Sequence, residues 1–280
     1  MLEVQLPDGS VKSFDASITP RDVAQSIGPK LAQAAMAAEV DGNVVGLDYR
    51  LPESGSVRLR ILTRRDPEAL GVMRHSAAHV MARAVMRLRP GVQLAFGPTV
   101  EGGFYYDLAL PQPISEEDFP AIEAEMKRII ALDEPFERLE QPRDAARQIC
   151  EDLHQNFKVE HIDTGLKEHG SVSFYRQGEF LDLCRGPHVP SAKAIGAFKL
   201  LSIAGAYWKG DSEREQLQRL YGTAFFSQED LDAHLAKVEE AKKRDHRTLG
   251  KQLQLFSVED RKSTRLNSSH IPLSRMPSSA

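Results

Sequence analysis

The chain has 280 residues, 41% hydrophobic and 27% charged, enough for two compact domains. Its formal net charge of −4 gives no global sign of a nucleic-acid binder, so any RNA contact must come from local basic patches. Met1 to Gly9 lack the basic start and apolar block of an export signal, no stretch approaches the roughly 18 apolar residues of a membrane span, and Cys150 and Cys184 are too few for a disulfide framework. The expectation is a cytoplasmic protein with no membrane partner and two free thiols.

Residues 2 to 6 alternate as a strand, Pro7 to Ser10 read as a hairpin turn, and Val11 to Phe14 form the return strand. Thr19 reads as an N-cap followed by Pro20 at the first helical position, opening a short helix over Val23 to Ile27 that Gly28 and Pro29 stop. Further strands at Ala34 to Val40, around the Asp41-Gly42 turn into Val45, and at Val57 to Leu62 complete an α+β unit over 1–62, with Arg64 to Pro67 as boundary.

From Asp66 to Leu88 the apolar residues Leu70, Met73, Ala77, Val80, Met81, Ala84, Val85 and Leu88 recur at helical spacing, predicting a long amphipathic helix ended by Arg89, Pro90 and Gly91. Gly102 to Asp107 suggest a strand approached closely by backbone, and Ser115 caps a helix reaching Ala131. A further helix is predicted over Arg143 to Asn156, and short strands alternating with turns over Lys158 to Trp208. Ser227 caps a charged helix from Gln228 to about Leu255, and Lys262 to Ala280, rich in serine and without acidic residues, are expected to be disordered.

Two spacings carry chemistry. His75 and His79 stand one turn apart on the long helix, so their rings share a face. Alone, such a pair reads at least as well as two satisfied core histidines. The segment Asp182-Leu183-Cys184-Arg185-Gly186-Pro187-His188 adds a thiol and an imidazole four apart, bent toward each other by a Gly-Pro turn. Together His75, His79, Cys184 and His188 make a four-donor set of types that bind zinc or organise a water molecule.

These two motifs resemble the editing domain of bacterial threonyl-tRNA synthetases. The likeness extends in order through Gly103 to Asp107, Gly205 to Asp211, Gln218 to Thr223 and Lys243 to Lys251, covering about residues 1–261. Residues 1–62 are similar to the small, ubiquitin-like TGS domain that opens these enzymes. That domain also occurs on some GTPases, but this chain has no Gly-x-x-x-x-Gly-Lys-Ser/Thr phosphate loop. The resemblance implies an α+β fold with a TGS domain at 1–62, an editing domain at 66–226, and a linker helix at 227–256. It implies hydrolysis of serine wrongly esterified to tRNA(Thr), with the aminoacylated 3′ end of that tRNA as partner. One methyl group separates serine from threonine, worth only about 1–3 kcal/mol in a binding pocket, so a second, corrective site is physically reasonable.

By position in the family, Lys158 and His75 hold or deprotonate the attacking water, with Lys158 also facing the oxyanion. An imidazole of reference pKa about 6.5 has the easier task as base near neutrality than an amine at about 10.4. Asp182 is expected to recognise the serine amino or hydroxyl group, Tyr106 to line the amino-acid pocket or touch the terminal adenosine, and His79, Cys184 and His188 to shape the cavity. Lys158 reads equally as a solvated surface charge, Asp182 as a turn-capping carboxylate and Tyr106 as core. Cys184 activated by His188 is the covalent alternative, which hydrolysis of an activated ester does not require. Zinc suits the donor set, and the related alanine-specific pocket holds it, but the resembling bacterial sites work without metal, so no cofactor is expected. Lys242, Lys243, Arg244 and Arg247 are candidates for tRNA phosphates, or an ordinary solvated helix face.

In the family the helix near Leu255 leads into a class II catalytic core, with ATP and zinc sites, and an anticodon-binding domain in a homodimer. Here the family-like sequence breaks after Arg261. The chain is therefore expected to be a fragment, monomeric, and without ligation chemistry. A non-catalytic tRNA-binding or assembly fragment is the alternative.

Overall fold

A computed structural model describes residues 1–15 and 17–244. The serine-rich tail, the far end of the expected linker helix and Arg247 lie outside the described residues. Met1–Ala233 form one compact unit, and the described residues from His234 onward lie outside it.

The first unit begins with β1 (Leu2–Gln5) and β2 (Val11–Phe14), paired antiparallel across the expected turn, where the Asp8 carboxylate accepts from the Ser10 backbone N–H at 2.9 Å. Then α1 (Pro20–Ile27) opens on a reciprocal cap, in which Thr19 Oγ1 accepts from Asp22 N–H at 3.3 Å and Asp22 from Thr19 N–H at 2.8 Å. As expected, α1 stops at Gly28-Pro29. A second helix that the sequence did not signal, α2 (Pro29–Ala34), starts on Pro29, because proline at a first helical position forfeits no hydrogen bond. Strands β3 (Ala35–Val40), β4 (Asn43–Val45) and β5 (Gly55–Thr63) complete a sheet ordered β2-β1-β5-β3-β4, with β5 parallel to β1, the ubiquitin-like arrangement the resemblance implied. Its core is Leu2, Val4, Val23, Val40, Val57 and Leu59.

Helix α3 (Pro67–Leu88) follows at once. It was expected to be amphipathic, but every residue from Ser76 to Val85 is buried. Ala77, Ala78, Ala82 and Ala84 let neighbours approach on all sides, so the helix is a central pillar and not a surface layer. After it come β6 (Gln93–Leu94), β7 (Thr99–Val100), β8 (Gly103–Ala109), α4 (Phe119–Ala131), β9 (Glu137–Pro142) and α5 (Arg143–Asp152). Next come α6 (Asn156–Thr164), β10 (Ser171–Gln177), β11 (Phe180–Leu183), β12 (Ala197–Tyr207) and β13 (Gln216–Phe225). Strands β12-β13-β8-β6 form an antiparallel sheet against α3, with β7 paired to β8, and β11-β10-β9 form a second. The expected close approach at Gly103 is real: a Cβ there would lie 2.4 Å from Gly222 O.

One stretch departs from the sequence reading. The helix expected over Arg143 to Asn156 ends at Asp152, His154 takes a positive φ of 55°, and a new helix, α6, runs where strands were expected. Its inward positions are Phe157, Lys158 and Ile162, and a buried lysine among them hides the apolar stripe. Arg83, 1% exposed on α3, bridges Glu134 and Glu179 and so ties α3 to the β10–β11 turn. Helix α7 (Gln228–Lys243) begins at the expected cap, with Ser227 Oγ accepting from Asp230 N–H at 3.1 Å. Among the described residues no helix is long and apolar enough to cross a membrane.

Candidate active site

The two sequence motifs meet. Helix α3 carries His75 and His79, and the loop leaving β11 carries Cys184 and His188; one ligand atom from each lies within 4.8 Å of the others. Gly186 turns that loop with φ 73°, and a Cβ on it would lie 2.3 Å from the Tyr175 hydroxyl, so the bend requires glycine.

The hydrogen bonds assign the ring protons. His75 Nδ1 lies 3.2 Å from Pro187 O, which can only accept, so Nδ1 carries the proton and Nε2 is bare, 3.3 Å from Cys184 Sγ. Ser76 Oγ donates to Val72 O at 3.0 Å and accepts from Val189 N–H at 3.0 Å. His188 Nδ1, 3.0 Å from the same oxygen, is therefore the donor there, leaving its Nε2 bare at 3.5 Å from Cys184 Sγ. Burial, more than any neighbour, pushes all three imidazoles below their usual value: His75 downward, His79 to about 3, and His188 well below. All three are neutral near pH 7. Burial and then the Asp182 charge push the Cys184 thiol up to about 12, so it is protonated and a poor nucleophile.

A second cluster adjoins the first. Lys158, on α6, sets its ammonium 2.8 Å from Asp182 Oδ1 and 3.4 Å from both Tyr106 Oη and Leu183 O. Tyr106, at the centre of β8, donates its hydroxyl to Asp182 Oδ2, which also lies 3.5 Å from His79 Nε2. All three side chains are buried. Burial alone would raise the Asp182 carboxyl, but the charge of Lys158 and the hydrogen bonds from Lys158 and Tyr106 outweigh it and hold the group below its usual range. Trp208 braces this wall: it stacks on Phe96 at 5.2 Å and donates Nε1–H to Glu160 of α6 at 2.9 Å.

Both clusters floor one cavity of about 770 Å³, lined also by Phe96, Tyr105, His161 and Arg185, ample for an amino acid and a nucleoside together. A bare imidazole nitrogen, a fixed ammonium and a carboxylate within one such space can place water and stabilise an oxyanion.

The donor set also fits zinc. The separations of 3.3 and 3.5 Å from Cys184 Sγ to the bare nitrogens of His75 and His188 match the roughly 3.5 Å spacing of tetrahedral zinc ligands. Both rings have their second nitrogen anchored, and buried His79 Nδ1 has no partner among the described residues.

Two family models match the chain. Residues 2–61 match the TGS domain, and residues 172–221 match the threonyl and alanyl tRNA synthetase second additional domain. The chain carries both domains. It is similar to the threonine–tRNA ligase of Rhodopirellula baltica, 59% identical over 261 residues, covering 92% of this chain and 35% of that protein. It is similar also to those of Gluconacetobacter diazotrophicus, 49% identical with 93% and 40% covered, and Bacillus velezensis, 47% identical with 92% and 40% covered. The chain thus spans about two fifths or less of the length of these relatives.

The second additional domain supplies Asp182, Cys184 and His188 within its matched segment, while His75, His79, Tyr106 and Lys158 come to the site from outside it. Six of the seven residues expected in the pocket line the cavity. His188 does not: it stacks between His75 at 4.3 Å and Phe136 at 4.9 Å and faces a smaller neighbouring cleft. Lys158 is not the solvated charge that its type allowed, and Asp182 caps no turn, since its oxygens serve Lys158 and Tyr106. Lys243 pairs with Glu239 at 2.8 Å and Arg244 with Glu240 at 2.5 Å, both one turn back on their own helix; the Lys242 side chain and Arg247 lie outside the described residues. Sequence reasoning missed Ser76, which orients His188, although it sits inside the His75–His79 motif. It also missed Arg185, inside the Asp182–His188 motif, and the Phe96 wall, for which no signal was present.

Proposed function

We propose that this chain hydrolyses the ester joining serine to tRNA(Thr), the corrective reaction of threonyl-tRNA synthetases, with the aminoacylated 3′ end of that tRNA in the cavity. The observation that carries the reading is the bare His75 Nε2 facing the same cavity as the buried Lys158–Asp182 pair.

In this reading His75 Nε2 takes a proton from water as the oxygen bonds to the ester carbonyl carbon. The ammonium of Lys158 faces the resulting oxyanion, and Asp182 and Tyr106 hold that ammonium in place. Collapse breaks the ester bond to the ribose oxygen, which takes the proton back from His75, releasing serine and tRNA. Cys184 shapes the cavity as a neutral thiol and forms no acyl intermediate. Zinc, if bound, would be held by His75, Cys184 and His188 with His79, and would supply Lewis acidity toward water. The reaction proposed needs none, and the Lys158 ammonium works against a second cation nearby.

The test is direct: seryl-tRNA(Thr) is incubated with the purified chain and ester loss is followed. Acceleration over the spontaneous rate is expected. A rate equal to the blank would overturn the reading and favour a tRNA-binding fragment without catalysis.

A further inference from the structure

The cavity wall carries an unbalanced positive charge. Its acids are Asp182, matched by Lys158 at 2.8 Å, and Glu140, matched by Arg138 at 3.1 Å and by the Ser171 hydroxyl at 2.6 Å. Arg185 lines the same cavity, is exposed, and has no carboxylate partner among the described residues. Its field, after burial and the charges of Lys158 and Lys209, helps hold His161 on the same wall below the usual imidazole value.

Arg185 also marks a junction. The smaller cleft of about 210 Å³, between residues 44–49 at the end of β4 and just after it and residues 185–190, shares Arg138, Arg185 and Gly186 with the main cavity. At its far side Arg21 pairs with Asp48 at 3.2 Å. The two cavities thus meet across two arginines, and the one without a carboxylate stands beside the reacting-group cluster. A guanidinium suits a phosphodiester because its planar fork donates two parallel hydrogen bonds to two oxygens.

We propose that Arg185, supported by Arg138, holds the phosphate that joins the terminal nucleoside to the rest of the substrate strand, and that the strand leaves across these arginines along the cleft beside residues 44–49. This rests on the editing reading for the identity of the substrate. It adds a recognition element that separates a nucleic-acid end from a free aminoacyl nucleoside, and it gives the ubiquitin-like domain a place beside the strand.

Binding and hydrolysis are measured separately. Trp208 is the only tryptophan and stacks on the cavity-lining Phe96, so its fluorescence reports occupancy. The wild type should bind the cytidylyl-cytidylyl-adenosine trinucleotide more tightly than adenosine, and the advantage should shrink with salt, as displaced counterions require. Arg185→Ala should weaken trinucleotide binding by about tenfold or more and adenosine binding far less, with Arg185→Lys between. Arg185→Gln, which keeps the side-chain length, serves if the alanine variant does not fold. In the kinetic arm, Arg185→Ala should raise KM for seryl-tRNA much more than for 3′-O-seryl-adenosine, which has no phosphate. Equal losses on both ligands, or no trinucleotide advantage in the wild type, would overturn the phosphate assignment. Trinucleotide binding that depends on Arg185 without any hydrolysis would keep the assignment and remove the editing reading instead.

Discussion

Replacing Lys158 with methionine keeps most of the side-chain volume but leaves the Asp182 carboxylate, 3% exposed, with only Tyr106 as a strong donor. At 2.8 Å and an effective dielectric of about 20 the lost attraction is roughly 6 kcal/mol before desolvation is subtracted. Removing one partner from a buried pair costs about 3–5 kcal/mol because the remaining charge is stranded. Asp182→Asn strands the ammonium and should cost a similar amount. The double variant Lys158→Met, Asp182→Asn strands nothing, so it should be more stable than either single variant, with a coupling energy above about 2 kcal/mol. Urea unfolding at pH 7 of the four proteins measures this. Additive single effects, with coupling below about 0.5 kcal/mol, would show the pair to be solvated and would refute the account of how Lys158 is held.

Three further outcomes are expected. Stability should fall on acidification from pH 7 to 5. The unfolded chain takes up imidazole protons below about 6.5, whereas buried His79 stays neutral down to about 3, which removes about 2 kcal/mol at pH 5 from this residue alone. Unfolding followed across that range should steepen accordingly, and a profile unchanged in His79→Gln would contradict it. Intact-mass spectrometry of a quenched single turnover should show no seryl adduct, since the Cys184 thiol is pushed up to about 12; an adduct on Cys184 would restore the covalent alternative. Elemental analysis of untagged protein should give substoichiometric zinc, and one zinc per chain would transfer water activation to the metal.

The parts of the site legible in sequence were those with short-range spacing. His75 and His79 are one turn apart on a helix, and Cys184 and His188 flank a turn that only Gly186 can make, so each pair was apparent before the pairs met. The division of labour between them was not. His188 lies behind His75 because Ser76 and the stack on Phe136 hold it there, and each of those contacts joins residues more than fifty positions apart. The helix carrying Lys158 was misread for the same reason. A lysine counts as polar in any periodicity, and its burial makes sense only once β11 brings Asp182 to it. The ubiquitin-like sheet was read from its turns, whereas α2 was lost because a Gly-Pro pair marks both an end and a beginning.

The most direct test of the central claim is single-turnover deacylation of seryl-tRNA(Thr) and threonyl-tRNA(Thr) by the wild type and His75→Ala. The account predicts faster loss of serine than threonine by the wild type, and a drop of about 10²-fold or more in the serine rate when the bare Nε2 is removed. Background loss of both esters, or an unchanged serine rate in His75→Ala, would contradict it.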